Sequence, residues 1–186
     1  NTANGYINHR IISDRGYMQA EGARLDGDTD YDMAVVVSDL RSFGWQENTG
    51  SDTFVYHELG ITTSSRTKHL EIVDLDQDGD EDIVMCANGE LGIRWYENNG
   101  SGNFTVNIIQ ASAYYERIAV SDMDNDSDLD IIGTIGYLLT GGDHLTYWEN
   151  NGSENFTQHS LLTTTGTSNV GGRRMAVTDL NSDGYM

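Results

Sequence analysis

Aspartates alternate with other residues in several short segments of the chain. Two segments read DLDQDGDED from residue 74 and DMDNDSDLD from residue 122, so each carries five carboxylates on the odd positions of nine residues. Ca²⁺ prefers hard oxygen ligands and takes about six to eight of them at about 2.3–2.6 Å. Carboxylates packed this closely repel one another without a cation, and the arrangement recurs. The pattern therefore predicts calcium-binding loops.

An EF-hand and a magnesium site both fit the aspartates less well than such a loop does. The calcium loop of an EF-hand needs an acidic residue at position twelve, where this chain has Met85 in an apolar run. Mg²⁺ does not suit a dense cage made only of protein oxygens, because it keeps several of its waters. Gly79 permits a sharp turn in the loop that begins at Asp74, whereas Ser127 stands at the same place in the loop that begins at Asp122.

A second motif follows each of the first three acidic segments. It reads WQENTGSDTF at residues 45–54, WYENNGSGNF at 95–104 and YWENNGSENF at 147–156. The two motifs recur in phase, with a spacing of about 50 residues across the whole chain. A fixed period of this length indicates a solenoid or a propeller.

Each period predicts four short strands. In the second copy these are residues 69–73, 83–87, 91–96 and 104–109, and an Asn-Gly turn joins the last two. Four antiparallel strands per unit are typical of a β-propeller blade. We therefore expect an all-β chain, a β-propeller with the calcium loop between strands one and two of each blade. The expected units are a partial blade at 1–12, blades at about 16–59, 67–109 and 116–162, and the start of a further blade at 173–186.

The two motifs together resemble the calcium-binding FG-GAP or VCBS-type repeat, which builds the propellers of integrin α-subunits and of many secreted microbial proteins. The resemblance rests on DLDQDGDEDIV, DMDNDSDLDII and DLNSDGY with the W/Y-x-E-N turn. The FG and GAP motifs are missing from their usual places, so the chain looks closer to the microbial blades. In the family, positions one, three, five and nine bind calcium by side chain and position seven by its carbonyl.

The resemblance implies a ligand set for each loop. In the second loop it comprises Asp74, Asp76, Asp78 and Asp82, with Asp80 by its carbonyl, and in the third Asp122, Asp124, Asp126 and Asp130, with Asp128 by its carbonyl. The first loop supplies Asp26, Asp28 and Asp32, and the fourth supplies Asp179, Asn181 and Asp183. Arg24 takes position one of the first loop, where we expect its guanidinium to pair with Asp26, Asp28 or Asp32 and to leave this loop the weakest of the set.

Composition excludes several classes of partner. The 186 residues carry 10 basic and 30 acidic side chains, a net charge of −20, which disfavours nucleic acid and anionic membrane surfaces. No apolar run reaches the length of about 20 residues that a membrane span needs. The single cysteine, Cys86, excludes an internal disulfide, and we expect it in the core.

Some other residues permit a functional or a structural interpretation. A repeated histidine on the fourth strand could ligate zinc but is more typical of an edge-strand contact, and the tryptophans could form sugar platforms but fit packing between blades better. Four Asn-x-Ser/Thr sequons accompany the turns, where Asn and Gly also serve the turn itself. These residues are His9, His57 and His159; Trp45, Trp95 and Trp148; and Asn99, Asn103, Asn151 and Asn155.

These features predict a non-enzymatic, calcium-stabilised extracellular module with a structural or adhesive role, bound to a protein or glycan ligand at a cell surface or in a matrix. The alternatives are a carbohydrate-binding, lectin-like propeller and an accessory domain of a secreted enzyme. The sequence opens in the turn before a fourth strand and stops within an acidic loop. We therefore expect an excerpt of a longer array, or a split blade that a neighbouring chain completes by head-to-tail association.

Overall fold

A computed structural model describes residues 17–37, 42–50, 53–61, 66–135, 142–164 and 175–179. The described part contains twelve β-strands and no helix, as the periodicity predicts. The expected partial blade at 1–12 lies outside the described residues, and of 173–186 only residues 175–179 are described. The strands are β1 Tyr17–Ala23, β2 Asp32–Val37, β3 Ser42–Asn48, β4 Phe54–Ile61, β5 Arg66–Val73, β6 Asp82–Asn88, β7 Ile93–Asn98, β8 Phe104–Gln110, β9 Tyr115–Ser121, β10 Asp130–Ile135, β11 Gly142–Asn150 and β12 Phe156–Thr164.

The strands form three antiparallel sheets of four strands each, and each sheet follows chain order from its first strand to its fourth. Within a sheet every connection joins neighbouring strands, so each sheet is a meander that folds from local contacts. Three such sheets in succession are blades of a β-propeller, which confirms the predicted fold class. No helix long and apolar enough to cross a membrane is present in the described part of the chain.

The second strand of the middle sheet is buried on both faces. Ile83 and Met85 pack into a core shared with the first sheet, whereas Val84 and Cys86 pack into a core shared with the third. All four side chains are fully buried. This explains why β6 is an uninterrupted apolar run instead of an alternating one. Burial raises the pKa of the Cys86 thiol far above its usual value, so this residue is an inert core side chain, as predicted.

The three tryptophans also lie between sheets. Trp45 packs in the core between the first and second sheets, and Trp95 and Trp148 pack in the core between the second and third. Each is at most 2% exposed. A sugar platform needs an exposed ring face, so the packing interpretation is correct for these residues.

Polar side chains join the first strands of neighbouring sheets. The Gln19 amide donates to the carbonyl of Leu70 at 2.8 Å and accepts from the Leu70 amide at 3.2 Å, so it pairs with β5 much as a backbone would. On the other side of β5, Arg117 donates to the carbonyl of Lys68 at 3.2 Å, and Lys68 forms an ion pair with Glu116 at 3.0 Å. These contacts set the position of each sheet relative to the next.

A half-buried carboxyl lies within this group of first strands. Burial, and then the nearby charge of Glu21, raises the pKa of Glu71 to about 7, although Arg117 acts in the opposite direction. His69 places Nδ1 3.6 Å from a Glu71 carboxyl oxygen. Burial lowers the pKa of His69 to about 4, so this ring is neutral at pH 7 and does not compensate Glu71.

We predict that Glu71→Gln stabilises the protein at pH 8 and changes little at pH 4. A carboxyl whose folded pKa lies above its ordinary value contributes stability below about pH 4.5, and this contribution is lost as the pH rises towards 7. Glutamine cannot ionise, so the melting temperature of the variant should exceed that of the parent protein at high pH only. Glu116→Gln, which removes the partner of Lys68, is the control and should not be stabilising. Equal melting curves for the parent and Glu71→Gln at pH 8 would contradict this account.

Candidate metal centre

The acidic loops all join the first and second strands of a sheet. They span residues 24–31, 74–81 and 122–129, between β1 and β2, β5 and β6, and β9 and β10. Neighbouring loops touch: the Arg24 amide donates to a Glu81 carboxyl oxygen at 2.6 Å, and the Gln77 side chain donates to the Ser127 carbonyl at 2.6 Å. The predicted sites therefore line one end of adjacent blades.

Position nine of the second loop is a fully buried carboxylate. One oxygen of Asp82 accepts the backbone amide of Leu75 at 3.1 Å and the indole N–H of Trp95 at 3.0 Å. The other accepts the backbone amide of Asn98 at 2.8 Å. Asp82 thus ties the start of its own loop to the end of the third strand. The oxygen that accepts from Asn98 keeps a further lone pair, so this arrangement leaves capacity for a cation at that oxygen.

The two backbone hydrogen bonds that Asp82 accepts from Leu75 and Asn98, which we call the clamp, have counterparts in the other two described loops. In each case position nine is a fully buried aspartate. One of its oxygens accepts the backbone amide of position two, and the other accepts the backbone amide of the asparagine in the W/Y-x-E-N motif. The bonds are Leu25 to Asp32 at 2.9 Å, Asn48 to Asp32 at 2.8 Å, Met123 to Asp130 at 2.8 Å and Asn150 to Asp130 at 2.8 Å.

The asparagine of that motif is a structural residue that the sequence pattern indicated only as part of a turn. Its side-chain amide donates to the carbonyl of position eight in every described loop: Asn48 to Tyr31 at 3.4 Å, Asn98 to Glu81 at 3.1 Å and Asn150 to Leu129 at 3.3 Å. Its recurrence at one place in three copies was the available signal. It closes the far side of each loop against the third strand.

Three carboxylates converge in the second loop. Asp74, Asp76 and Asp78 each place an oxygen within 4.8 Å of the others. One oxygen of Asp74 accepts the Gly79 amide at 3.0 Å. Its other oxygen is buried and has no hydrogen-bond partner. A buried carboxylate oxygen without a donor is costly, and a cation held by these three side chains would remove that cost.

The third loop assembles a related group. Asp122, Asp124 and the buried Asp130 place oxygens within 4.8 Å of one another. An Asp122 oxygen accepts the Ser127 amide at 3.1 Å, which matches the bond between Asp74 and Gly79. The two loops thus bring together overlapping subsets of the predicted ligands: positions one, three and five in the second, and positions one, three and nine in the third.

Backbone conformation gives these two loops their curl. Gly79 has φ +101° and Ser127 has φ +80°, so position six is left-handed in both. Position four is left-handed too, with Gln77 at 61° and Asn125 at 63°. Non-glycine residues adopt this region at a cost, so Ser127 strains the turn where Gly79 does not. The aspartates at positions three and five support the curl by accepting the backbone amide two residues ahead: Asp76 from Asp78 at 3.2 Å, Asp78 from Asp80 at 2.9 Å, Asp124 from Asp126 at 3.3 Å and Asp126 from Asp128 at 2.9 Å.

The side chain at position seven faces the turn of its own blade. A side chain at Gly100 would overlap the carboxylate of Asp80, and one at Gly152 would overlap that of Asp128. Both glycines also have positive φ values, 70° and 68°. Glycine is therefore required in this turn, and the carboxylates of Asp80 and Asp128 are not members of the three-ligand groups. The carbonyl role of position seven stays a prediction.

The first loop differs from the other two. The sequence predicted that the guanidinium of Arg24 pairs with Asp26, Asp28 or Asp32. This prediction is wrong, because the guanidinium lies over the ring of Tyr31, at 5.0 Å from the ring centroid. Position six is Thr29, which does not adopt the left-handed conformation of Gly79. Among the described residues, groups of three close ligands occur in the second and third loops and not in this one.

The fourth loop and the repeated histidines complete the set of predicted residues. Of the fourth loop, Asp179 is described, whereas Asn181 and Asp183 lie outside the described residues, as does His9. His57 contacts Glu47 at 2.5 Å and His159 contacts Glu149 at 2.6 Å. Each pair joins the fourth strand of a sheet to the third, which supports the structural interpretation of the repeated histidine.

Several of the loop carboxylates hold protons more readily than free aspartate does. Burial raises the pKa of Asp82 to about 6, and it also raises the pKa values of Asp32 and Asp130. The pKa of Asp76 rises through burial and then through the charges of Asp78 and Asp74. Ionising these groups without a counter-charge is therefore unfavourable. A bound divalent cation would favour the ionised carboxylates over the protonated ones.

A family model and a solved structure are similar to parts of this chain. Residues 74–133 match the family model of the FG-GAP-like repeat, which confirms the predicted resemblance for the segment that holds the second and third loops. A solved structure from Agrocybe aegerita, a lectin described as recognising non-reducing terminal N-acetylglucosamine, aligns at a TM-score of 0.48 and 19% identity. The alignment covers 78% of this chain and 38% of the lectin. A comparison with curated proteins found no match.

We predict that Asp82→Ala destabilises the protein even without calcium. The substitution leaves two backbone amides and the Trp95 indole without an acceptor, at about 1–3 kcal/mol for each buried group. Asp78→Asn is the matched variant: it keeps the oxygen that accepts the Asp80 amide, so the metal-free fold should be unchanged while calcium affinity falls. Chemical unfolding in chelator and calcium titration separate the two effects. Equal stability of the two metal-free variants would refute the clamp.

A second substitution tests the first loop. Arg24→Asp restores a carboxylate at position one and removes the cation, so this loop should gain calcium affinity. Calorimetric titration should show one more bound ion than in the parent. Arg24→Gln removes the charge without adding a ligand and serves as the control. Tight calcium binding by this loop in the parent protein, lost on mutation of Asp26, would show that Arg24 does not impair it.

Proposed function

We propose that the chain is a calcium-stabilised, non-enzymatic β-propeller module that acts outside the cell in a structural or adhesive role. The observation that carries the proposal is the buried, unpartnered oxygen of Asp74 beside the carboxylates of Asp76 and Asp78. This group lies in the segment that matches the FG-GAP-like repeat. An unsatisfied anionic oxygen among other carboxylates is the chemistry of a hard-cation site.

The residues present fit Ca²⁺ as the resident ion. Asp74, Asp76 and Asp78 would supply side-chain oxygens in the second loop, and Asp122, Asp124 and Asp130 would do so in the third. The ion would supply no redox chemistry. Its role is to neutralise crowded carboxylates and so to hold each loop against its blade, which places it in the fold and not in a reaction.

The extracellular part of the proposal rests on ion concentration. Loops that bind calcium at millimolar levels fill outside cells and stay empty in the cytosol. A site at tenfold ligand excess over its Kd adds only about 1.4 kcal/mol, so the gain is useful when several blades contribute. Calcium would then replace the disulfides that stabilise many secreted domains, which agrees with a single, buried cysteine. A module stabilised in this way suits a structural or adhesive part of a surface assembly.

The test is removal and return of the ion. We expect chelation to lower the melting temperature, calcium to restore it, and magnesium at the same concentration to restore little. The control is a variant with Asp76→Asn and Asp124→Asn, whose melting temperature should barely respond to calcium. A melting curve that exhaustive chelation does not alter would refute a stabilising role of calcium.

A further inference from the structure

One hydrogen bond joins the two loops that assemble three ligands. The Gln77 side chain donates from Nε2 to the carbonyl of Ser127 at 2.6 Å, from the second blade to the third. Both residues are exposed, and both have the left-handed backbone conformation, with φ values of 61° and 80°. Because the Gln77 side chain is exposed, this hydrogen bond does not contribute to the packing of the core. Its effect is therefore on the conformation of the two loops.

Each end of the bond lies among candidate ligands. Gln77 stands between Asp76 and Asp78 in the second loop. The N–H of Ser127 donates to Asp122 at 3.1 Å, while its carbonyl accepts from Gln77. The Ser127 residue is therefore held by a ligand of its own loop on one side and by the neighbouring loop on the other. A cavity of about 110 Å³ lies at this junction, lined in part by Asp76, Gln77 and Asp128.

We propose that Gln77 couples the second and third calcium loops, so that filling one raises the affinity of the other. An ion in the third loop would fix Asp122 and with it the Ser127 backbone that Gln77 contacts. Gln77 would then hold the left-handed turn between Asp76 and Asp78, so the second loop would lose less conformational entropy on binding. By linkage the effect is equal in the other direction. The inference rests on the proposed calcium function.

The first and second loops meet in a different way. Position four of the first loop is Gly27, which has no side chain, and its backbone lies close against Gly100. The contact between those loops is the Arg24 amide with Glu81, at a position where the first loop lacks a ligand. Both pairs of loops are thus joined by a bond between a side chain and a backbone group, but the Gln77 bond, unlike the Glu81 bond, joins two loops that each gather three carboxylates.

The experiment measures a coupling factor by calorimetric calcium titration. One variant disables the second loop with Asp76→Asn and Asp78→Asn, and another disables the third with Asp124→Asn and Asp126→Asn. A third variant carries all four substitutions. The coupling factor is the product of the overall calcium-binding constants of the intact protein and of this third variant, divided by the product of those of the two singly disabled variants. The constants of the first and fourth loops then occur equally in numerator and denominator and cancel.

We expect a factor of about 2 to 10 in the parent protein, the range for one hydrogen bond of ordinary net strength. It should fall to about one in Gln77→Ala, and also in Gln77→Glu, which keeps the size but lacks the donor. Asn125→Ala, at the same loop position of the third blade, is the control and should keep the parent value. Circular dichroism verifies that each variant folds.

The outcomes separate the two proposals. Two ions bound independently by the parent, or a coupling factor that survives both Gln77 substitutions, would overturn the coupling and leave the calcium function intact. Mutual repulsion of two nearby cations, seen as a factor below one, would overturn it as well. No calcium bound by either loop would overturn both proposals together.

Discussion

Each described blade depends on one buried aspartate at the start of its second strand. Asp32, Asp82 and Asp130 all accept the backbone amide of loop position two and that of the motif asparagine, with donor–acceptor distances of 2.8–3.1 Å. This carboxylate fixes where the loop leaves the first strand and where the third strand ends. The hydrogen bonds to this carboxylate thus fix both ends of the loop, and the other aspartates lie between these fixed ends.

The electrostatics of the loop connect the fold to its proposed function. A buried carboxylate is costly unless donors or a cation compensate it, and burial raises the pKa of Asp82 to about 6 in spite of its three donors. The neighbouring aspartates add negative charge that their amide contacts do not neutralise. Carboxylate crowding therefore weakens the metal-free blade, and for the same reason it favours a divalent ion. In this arrangement stability and metal affinity have one physical origin.

Much of the fold could be predicted from the sequence, because the repeat and the strand pattern are local properties. The in-phase motifs predicted four strands per unit, and the apolar run at 83–87 predicted a strand, which the structure buries on both faces. Position nine was predicted as a ligand, but its clamp was missed, since that role depends on the third strand lying beside the loop. Arg24 was placed wrongly because position eight of its loop is Tyr31, whose ring offers the guanidinium another partner. The contact of Gln77 with Ser127 joins residues 50 positions apart, so only the packing of blades reveals it.

The first loop shows that the clamp and the ion-binding group are separable. Asp32 keeps both backbone bonds of the clamp, at 2.9 and 2.8 Å, although position one is Arg24 and position six is Thr29. Its sheet has the same four-strand order as the others. All three described blades thus keep position nine and the motif asparagine, whereas positions one and six vary without loss of the sheet. In a repeat built in this way, changes confined to an exposed loop would alter the proposed calcium affinity of a blade, while the buried aspartate preserves the architecture.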